Sequence, residues 1–236
     1  MRQVRILAAL GLLVAAAAAN AEVSSTWTLT NDYDFRGFSQ SAKDPAVQPS
    51  LDYAAENGWY IGAWASNVDF GEDADVDYEI DFYTGFSGGE EEGLGWDVGL
   101  VYYSYPDESD FNYAEIYGGV TYSWFEGKLW YSNDFGGDGT PGDTSAIYLE
   151  ANATFPLPEN FSFLLHAGLS TGDYWDDING DDVIDYSVGV GYDINHFNLA
   201  LKYVDTESDV VVRDDVFNNE GRVIFTVATT FPWSNE

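Results

Sequence analysis

Arg36 is the residue whose neighbours could support the most chemistry. Along an extended strand it shares a face with Asp34 and Asp32, two and four residues earlier. At a narrowing, such a cation could grip an anionic solute or set ion selectivity. The plainer role is an internal salt bridge that cancels lumen acids, because an unpaired arginine among many carboxylates is costly. A second row of charge comes from Asp75, Asp77, Glu79 and Asp81, which alternate with Val76, Tyr78, Ile80 and Phe82. Rings of carboxylates favour cations, as basic rings favour anions. Asp52, Asp97, Glu115, Glu150 and Asp185 would extend that lining, with Thr28, Thr30, Gln48 and Ser50 as neutral members. Arg36, Lys128, Lys202 and Arg222 are the few opposing cations.

Other chemistry is thinly supplied. Asp173, Asp176, Asp177, Asn179, Asp181 and Asp182 crowd one loop, but a calcium loop of the helix–loop–helix kind needs an acid where Trp175 stands. A solvated loop is the plainer reading and a weak surface divalent site the alternative, so no metal site is assigned. His166 has Ser162 and Ser170 four residues away on its own face, roughly 13 Å at strand rise, too far for a catalytic pair. His196 adjoins a turn. With no cysteine, thiolate nucleophiles and Cys-ligated metals are excluded. The expectation is a protein that is not an enzyme and carries no cofactor.

The elements holding these residues must suit a chain of 236 residues with 8 Lys+Arg, 41 Asp+Glu and a formal net charge of −33. Such a charge repels phosphate backbones and excludes nucleic acid as a partner. Yet 45% of residues are hydrophobic and 17% aromatic, which argues against an acidic disordered tail. Arg2 and Arg5, the apolar stretch from Ile6 to Ala19, and Ala19-Asn20-Ala21 read as a signal peptide over 1–21 with the mature domain at 22–236. No later apolar run suits a membrane-crossing helix.

What recurs instead is alternation at period two. Ile147, Leu149, Ala151, Ala153 and Phe155 alternate with polar neighbours, as do Phe197, Leu199, Leu201 and Tyr203. The pattern predicts about twelve strands, near 24–36, 45–55, 58–69, 75–86, 94–104, 112–124, 127–133, 145–155, 161–170, 183–192, 196–205 and 220–231. The connections alternate too: long, Asp- and Gly-rich ones take turns with tight ones, and only 87–93 breaks the order. A soluble sandwich has no reason to sort its loops in this way, whereas a membrane barrel does. Trp27, Tyr33, Trp59, Phe70, Trp96, Tyr102, Tyr122, Trp124, Phe155, Phe161, Tyr192, Phe197 and Phe231 fall near strand ends, where aromatic girdles are expected. Tyr60, Trp64, Tyr83 and Tyr103 fall on the opposite face and could fill the lumen.

The run Asn31-Asp32-Tyr33-Asp34-Phe35-Arg36-Gly37-Phe38-Ser39-Gln40 resembles the S-D-Y-x-F-R-G-x-S-Q motif of the TorF-type porin family, with Asn31 in place of Ser. The likeness continues through Gly58-Trp59-Tyr60-Ile61-Gly62, Trp64-Ala65-Ser66-Asn67-Val68 and Tyr102-Tyr103-Ser104-Tyr105-Pro106. The resemblance implies an outer-membrane location and a pore, and brings no catalytic residues. The combined expectation is an all-β chain forming an antiparallel transmembrane β-barrel of about twelve strands. It would be a passive, cation-preferring pore for small hydrophilic solutes, lined by Asp32, Asp34, Arg36, Asp52, Asp77, Glu79, Asp81, Glu115, Glu150, Lys202 and Arg222. The alternative is a closed-lumen barrel whose acidic outer loops bind cations, lipid headgroups or a surface partner. Expected partners are outer-membrane lipid and small solutes or ions; a homo-oligomer is compatible with the chain.

Overall fold

Successive side chains on a strand point to opposite faces, so period-two alternation calls for a sheet with one apolar and one polar side. The computed structural model describes residues 21–72, 74, 76–90, 93–138, 144–208 and 215–233. The predicted signal peptide therefore lies outside the described residues apart from Ala21. Twelve strands close into an antiparallel barrel: β1 (Glu22–Thr30), β4 (Ala46–Ala54), β5 (Trp59–Asn67), β6 (Tyr78–Gly89), β7 (Leu94–Ser104), β8 (Tyr113–Tyr122), β9 (Phe125–Ser132), β10 (Ala146–Pro156), β11 (Phe161–Thr171), β12 (Val183–Ile194), β13 (Phe197–Glu207) and β14 (Arg222–Phe231). Two further short strands, β2 (Asp34–Phe35) and β3 (Phe38–Ser39), pair only with each other. Each barrel strand pairs with its neighbour along the chain, and β1 closes on β14 with Trp27 opposite Thr229. Closure leaves the barrel without an unpaired edge among the described residues.

The two faces separate as the alternation requires. Val23, Leu29, Leu51, Ile61, Phe82, Ile116, Leu149 and Phe225 point outward and stay exposed. Glu79, Asp81, Asp97, Glu115, Glu150 and Asp185 point inward and are buried. Among the described residues no helix is long and apolar enough to cross a membrane; the exposed apolar belt belongs to the strands. Inside, tyrosines lie flat over glycines of the paired strand. Tyr60 stands opposite Gly85, Tyr83 opposite Gly62 and Tyr117 opposite Gly99. A Cβ at Gly62, Gly85 or Gly99 would collide with the facing ring, so these glycines supply the room that the rings need.

Several expectations need correction. The first strand was expected over 24–36 but stops at Thr30, because residues 31–45 leave the wall and enter the lumen. The break in loop order at 87–93 disappears: β6 continues to Gly89, so the connection is only 90–93 and short turns alternate with long loops throughout. Val76 precedes β6 and is buried instead of following the outward Tyr78. Tyr33 and Phe70 do not belong to a girdle. Tyr33 is 1% exposed inside the barrel, and Phe70 packs on Tyr105, Phe111 and Phe217, all from long loops. A short helix, α1 (Asp173–Ile178), occupies the acidic loop.

Candidate functional site in the barrel interior

The interior is built around the first long loop. After β1, Thr30 turns the chain by donating its hydroxyl to the Asp32 carbonyl at 2.7 Å. Residues 34–39 then form a hairpin whose two central residues, Arg36 and Gly37, have φ of 51° and 88°. Positive φ at both central positions is the signature of the primed turn that suits a twisted hairpin, and it normally selects Asn-Gly or Asp-Gly. Gly37 meets that demand and also lets the tip approach Thr206 and Asp185, where a Cβ would clash. Arg36 meets it only at a steric cost, so its side chain must contribute something there.

That contribution is visible across the lumen. The Arg36 guanidinium donates to both carboxylate oxygens of Glu115 on β8, at 2.9 and 2.6 Å. Rings of Phe35, Tyr148, Trp130 and Phe135 surround it, with centroids 4.7, 4.4, 5.6 and 5.6 Å from Cζ. Burial works against this charge, but Glu115 more than offsets it and holds the guanidinium firmly protonated. The expected internal salt bridge to a lumen acid therefore exists, and its partner is Glu115; Asp32 and Asp34, beside Arg36 along the chain, are not its partners. Those two acids pair with Arg222 on β14, whose Nε donates to Asp32 at 2.7 Å and whose Nη2 donates to Asp34. Arg222 Nη1 also donates to the Gly37 carbonyl at 3.0 Å. Burial pushes the Asp34 carboxyl up to about 6 against the opposing pull of Arg222. The hairpin thus starts at β1 and reaches the opposite wall at β8, β9 and β10.

The remaining predicted residues distribute around this bar. Glu79 accepts from the Tyr33 hydroxyl at 3.2 Å, and burial with the nearby carboxylates Glu79 and Asp81 holds that phenol well above its ordinary range. Asp81 is buried beside Glu79. Glu150 accepts from Trp130 Nε1 at 2.9 Å. Asp52 lies towards the short-turn end and accepts from Ser50 at 2.7 Å and from Tyr83. Lys202 points inward and is half-buried. Asp77 does not join them: it precedes β6 and is exposed at the rim. Asp75 lies outside the described residues.

Sequence reasoning missed two groupings. His166 Nε2 lies 2.7 Å from Asp185 Oδ1 and 3.1 Å from the Tyr148 hydroxyl, and its Nδ1 lies 2.7 Å from the Asn152 side-chain oxygen. Asn152 in turn donates its amide to Glu150 at 3.0 Å. No serine hydrogen bond to His166 occurs among the described residues. Over the long-loop mouth sits an aromatic roof: Trp175 stacks on Phe38 at 5.6 Å, Phe135 packs on Tyr174 at 4.8 Å, and Phe70 packs on Phe217 at 4.9 Å. Loop aromatics carry no periodicity. The one readable signal was their presence in loops otherwise made of Asp, Gly and Ser.

A closed twelve-strand barrel with an apolar exterior, a charged interior and a loop folded across that interior has a porin-type architecture. The chain belongs to the family described as "Bacterial protein of unknown function (Gcw_chp)", whose model matches residues 14–231. Its fold is similar to that of a KdgM porin, with a TM-score of 0.56 and 9% identity over 90% of this chain and 99% of that chain. It is also similar to the NanC porin, with a TM-score of 0.56 and 9% identity over 89% of this chain and 98% of that one. A KdgM porin in complex with disordered oligogalacturonate matches with a TM-score of 0.53 and 8% identity, over 92% and 99% of the two chains. No curated protein matches the chain.

Proposed function

We propose that the protein is a passive outer-membrane pore for small hydrophilic solutes, exported by the signal peptide at 1–21 and preferring cations. The observation that supports this reading is the barrel interior: buried carboxylates outnumber Arg36, Lys128, Lys202 and Arg222, and a hairpin folds across the space between the walls to reach Glu115. In a confined lumen such an excess raises the local cation concentration and excludes anions. The resemblance of residues 31–40 to the TorF-type porin motif supports the same reading, since that motif forms the hairpin. The KdgM relative complexed with oligogalacturonate takes a polyanion; the acidic interior here argues for solutes of the opposite sign. Purified protein in a planar bilayer under a salt gradient tests the proposal. Stepwise conductance with a cation-selective reversal potential is expected. Absence of steps sinks the pore, and anion selectivity keeps the pore but rejects the carboxylate filter.

The aromatic roof favours one second reading, a closed barrel whose acidic outer loops bind cations, lipid headgroups or a surface partner. A membrane-fraction protein that never conducts, yet binds divalent cations, would establish it.

A further inference from the structure

The groups around Arg36 form a cage that is complete without Arg36. Glu115 is fixed on β8 by the Tyr103 hydroxyl, which donates to it at 2.9 Å. Trp130 is fixed by its bond to Glu150, and Tyr148 by its hydroxyl contact with Asp185 at 3.1 Å. Phe135 is held against Tyr113 at 5.0 Å and against Trp175 at 6.0 Å. All of these partners belong to the barrel wall or to other loops. Of the four rings about the guanidinium, only Phe35 travels with the hairpin. Glu115, Trp130, Tyr148 and Phe135 are therefore each anchored by at least one group outside the hairpin.

Its chemistry selects one kind of guest. A planar fork of N–H donors matches both oxygens of a carboxylate at once, and a delocalised cation stacks on aromatic faces while giving up less hydration than an ammonium. Surrounding rings add cation–π attraction in a desolvated site. The host presents Arg36 at a backbone position that Asn or Asp would fill with less strain, so the hairpin carries the guest at a conformational cost.

We propose that Glu115, Trp130, Tyr148 and Phe135 form a binding site for alkylguanidinium solutes, and that Arg36 is a built-in occupant which such a solute displaces. The inference rests on the pore reading only for its consequence, that displacement of the hairpin admits the solute; the binding itself rests on the cage. The two differ in how they fail.

The test is chemical rescue with methylguanidinium chloride. Arg36→Ala empties the cage and leaves Glu115 buried without its cation, so the folded barrel should lose heat resistance in the gel-mobility assay. Millimolar methylguanidinium should restore the midpoint towards that of the unaltered chain. Urea at the same concentration should not. In Arg36→Ala/Glu115→Gln the concentration needed for rescue should rise roughly tenfold or more, the size of a lost charge-assisted bidentate contact. No rescue of Arg36→Ala, or equal rescue of the double variant, overturns the proposal. Should Arg36→Ala not refold, refolding yield with and without methylguanidinium becomes the readout. Recovered yield supports the site, while a variant that methylguanidinium leaves unfolded overturns it. In bilayers, methylguanidinium should block Arg36→Ala current more strongly than it blocks the double variant. Rescue with no current from any variant supports the cage and defeats the pore reading alone.

Discussion

The two ends of the barrel interior solve the problem of buried charge differently. Towards the long loops, each charge of the hairpin has a partner, Arg36 with Glu115 across the lumen and Asp32 and Asp34 with Arg222 on the adjoining β14, although Asp81 leaves Oδ1 unpartnered there among the described residues. Aromatics from five long loops pack over these pairs, so this half resembles the core of a small folded domain. Towards the short turns the pairing lapses. Lys128 is 2% exposed, yet its Nζ has no hydrogen-bond partner among the described residues and rests over the rings of Tyr117 and Trp130, at 4.8 and 5.1 Å. Glu126, two residues away on the same face of β9, leaves Oε2 unpartnered as well. A region built as a core should respond to substitution through stability; a region built as a lining should respond through ion selectivity.

The largest expected effect is on the core side. Arg222→Ala strips the ion partner from Asp32 and Asp34 and a donor from the Gly37 carbonyl. Removing one member of a buried ionic network costs about 3–5 kcal/mol. The hairpin should detach, lowering the heat-modification midpoint and raising single-channel conductance together. A fall in midpoint without any change in conductance would show that the hairpin does not narrow the path.

Acidification should probe the same half more gently. The Asp34 carboxyl sits at about 6 because burial outweighs the pull of Arg222. Its folded-state value is raised, so its stabilising contribution is complete below about pH 4, the unfolded value, and is lost as pH rises through about 6. The side chain is 27% exposed, and solvent screening limits the effect to about 2 kcal/mol. The midpoint should therefore rise as pH falls from about 6 to about 4, and Asp34→Asn should flatten that rise. An unchanged slope in the variant would assign the titration to another group.

Beside Lys128, from mid-barrel towards the short turns, lie the tyrosine–glycine pairs. Gly99→Val places a branched side chain against Tyr117 and the Thr84 carbonyl, an overpacking that costs about 1–3 kcal/mol. Thermal melts of the refolded barrel would measure it. A neutral result would mean that the ring swings freely into open lumen.

How much of this was legible follows from where each signal is stored. Wall strands carry their own alternation, so 94–104 was expected and β7 is Leu94–Ser104. The end of β6 was hidden because Gly88 and Gly89 read as loop, although Gly88 is needed to admit Trp96 of the next strand. Asp32, Asp34 and Arg36 keep the parity of β1 after the chain has left the wall, and alternation cannot separate a wall strand from a two-residue ladder in the lumen. The turn itself was masked by Arg standing where a hairpin usually carries Asn. The pairing of Arg36 with Glu115 spans 79 positions and has no local trace. What could have been noticed is the set of glycines at inward positions, Gly62, Gly85 and Gly99, each facing a tyrosine once the strands are put in register.

The smallest stability effect should come with the clearest change in selectivity. Lys128→Gln removes the cation nearest to the unpaired inner carboxylates, with its stem still able to lie over Gly119. Among the described residues no hydrogen bond to Nζ is broken, and the lost attraction for the Asp97 and Glu126 carboxylates should cost about 1 kcal/mol, well below the loss at Arg222. The lumen, however, loses one of its few positive charges at a desolvated position, and the reversal potential should shift further towards cations. Glu126→Gln should shift it the other way. If both variants instead lost several kcal/mol and left the reversal potential unmoved, the short-turn half would be a packed core like the other, and the contrast between the two ends would fail. Opposite shifts in selectivity at nearly constant stability would place the ion filter below the hairpin, on β9.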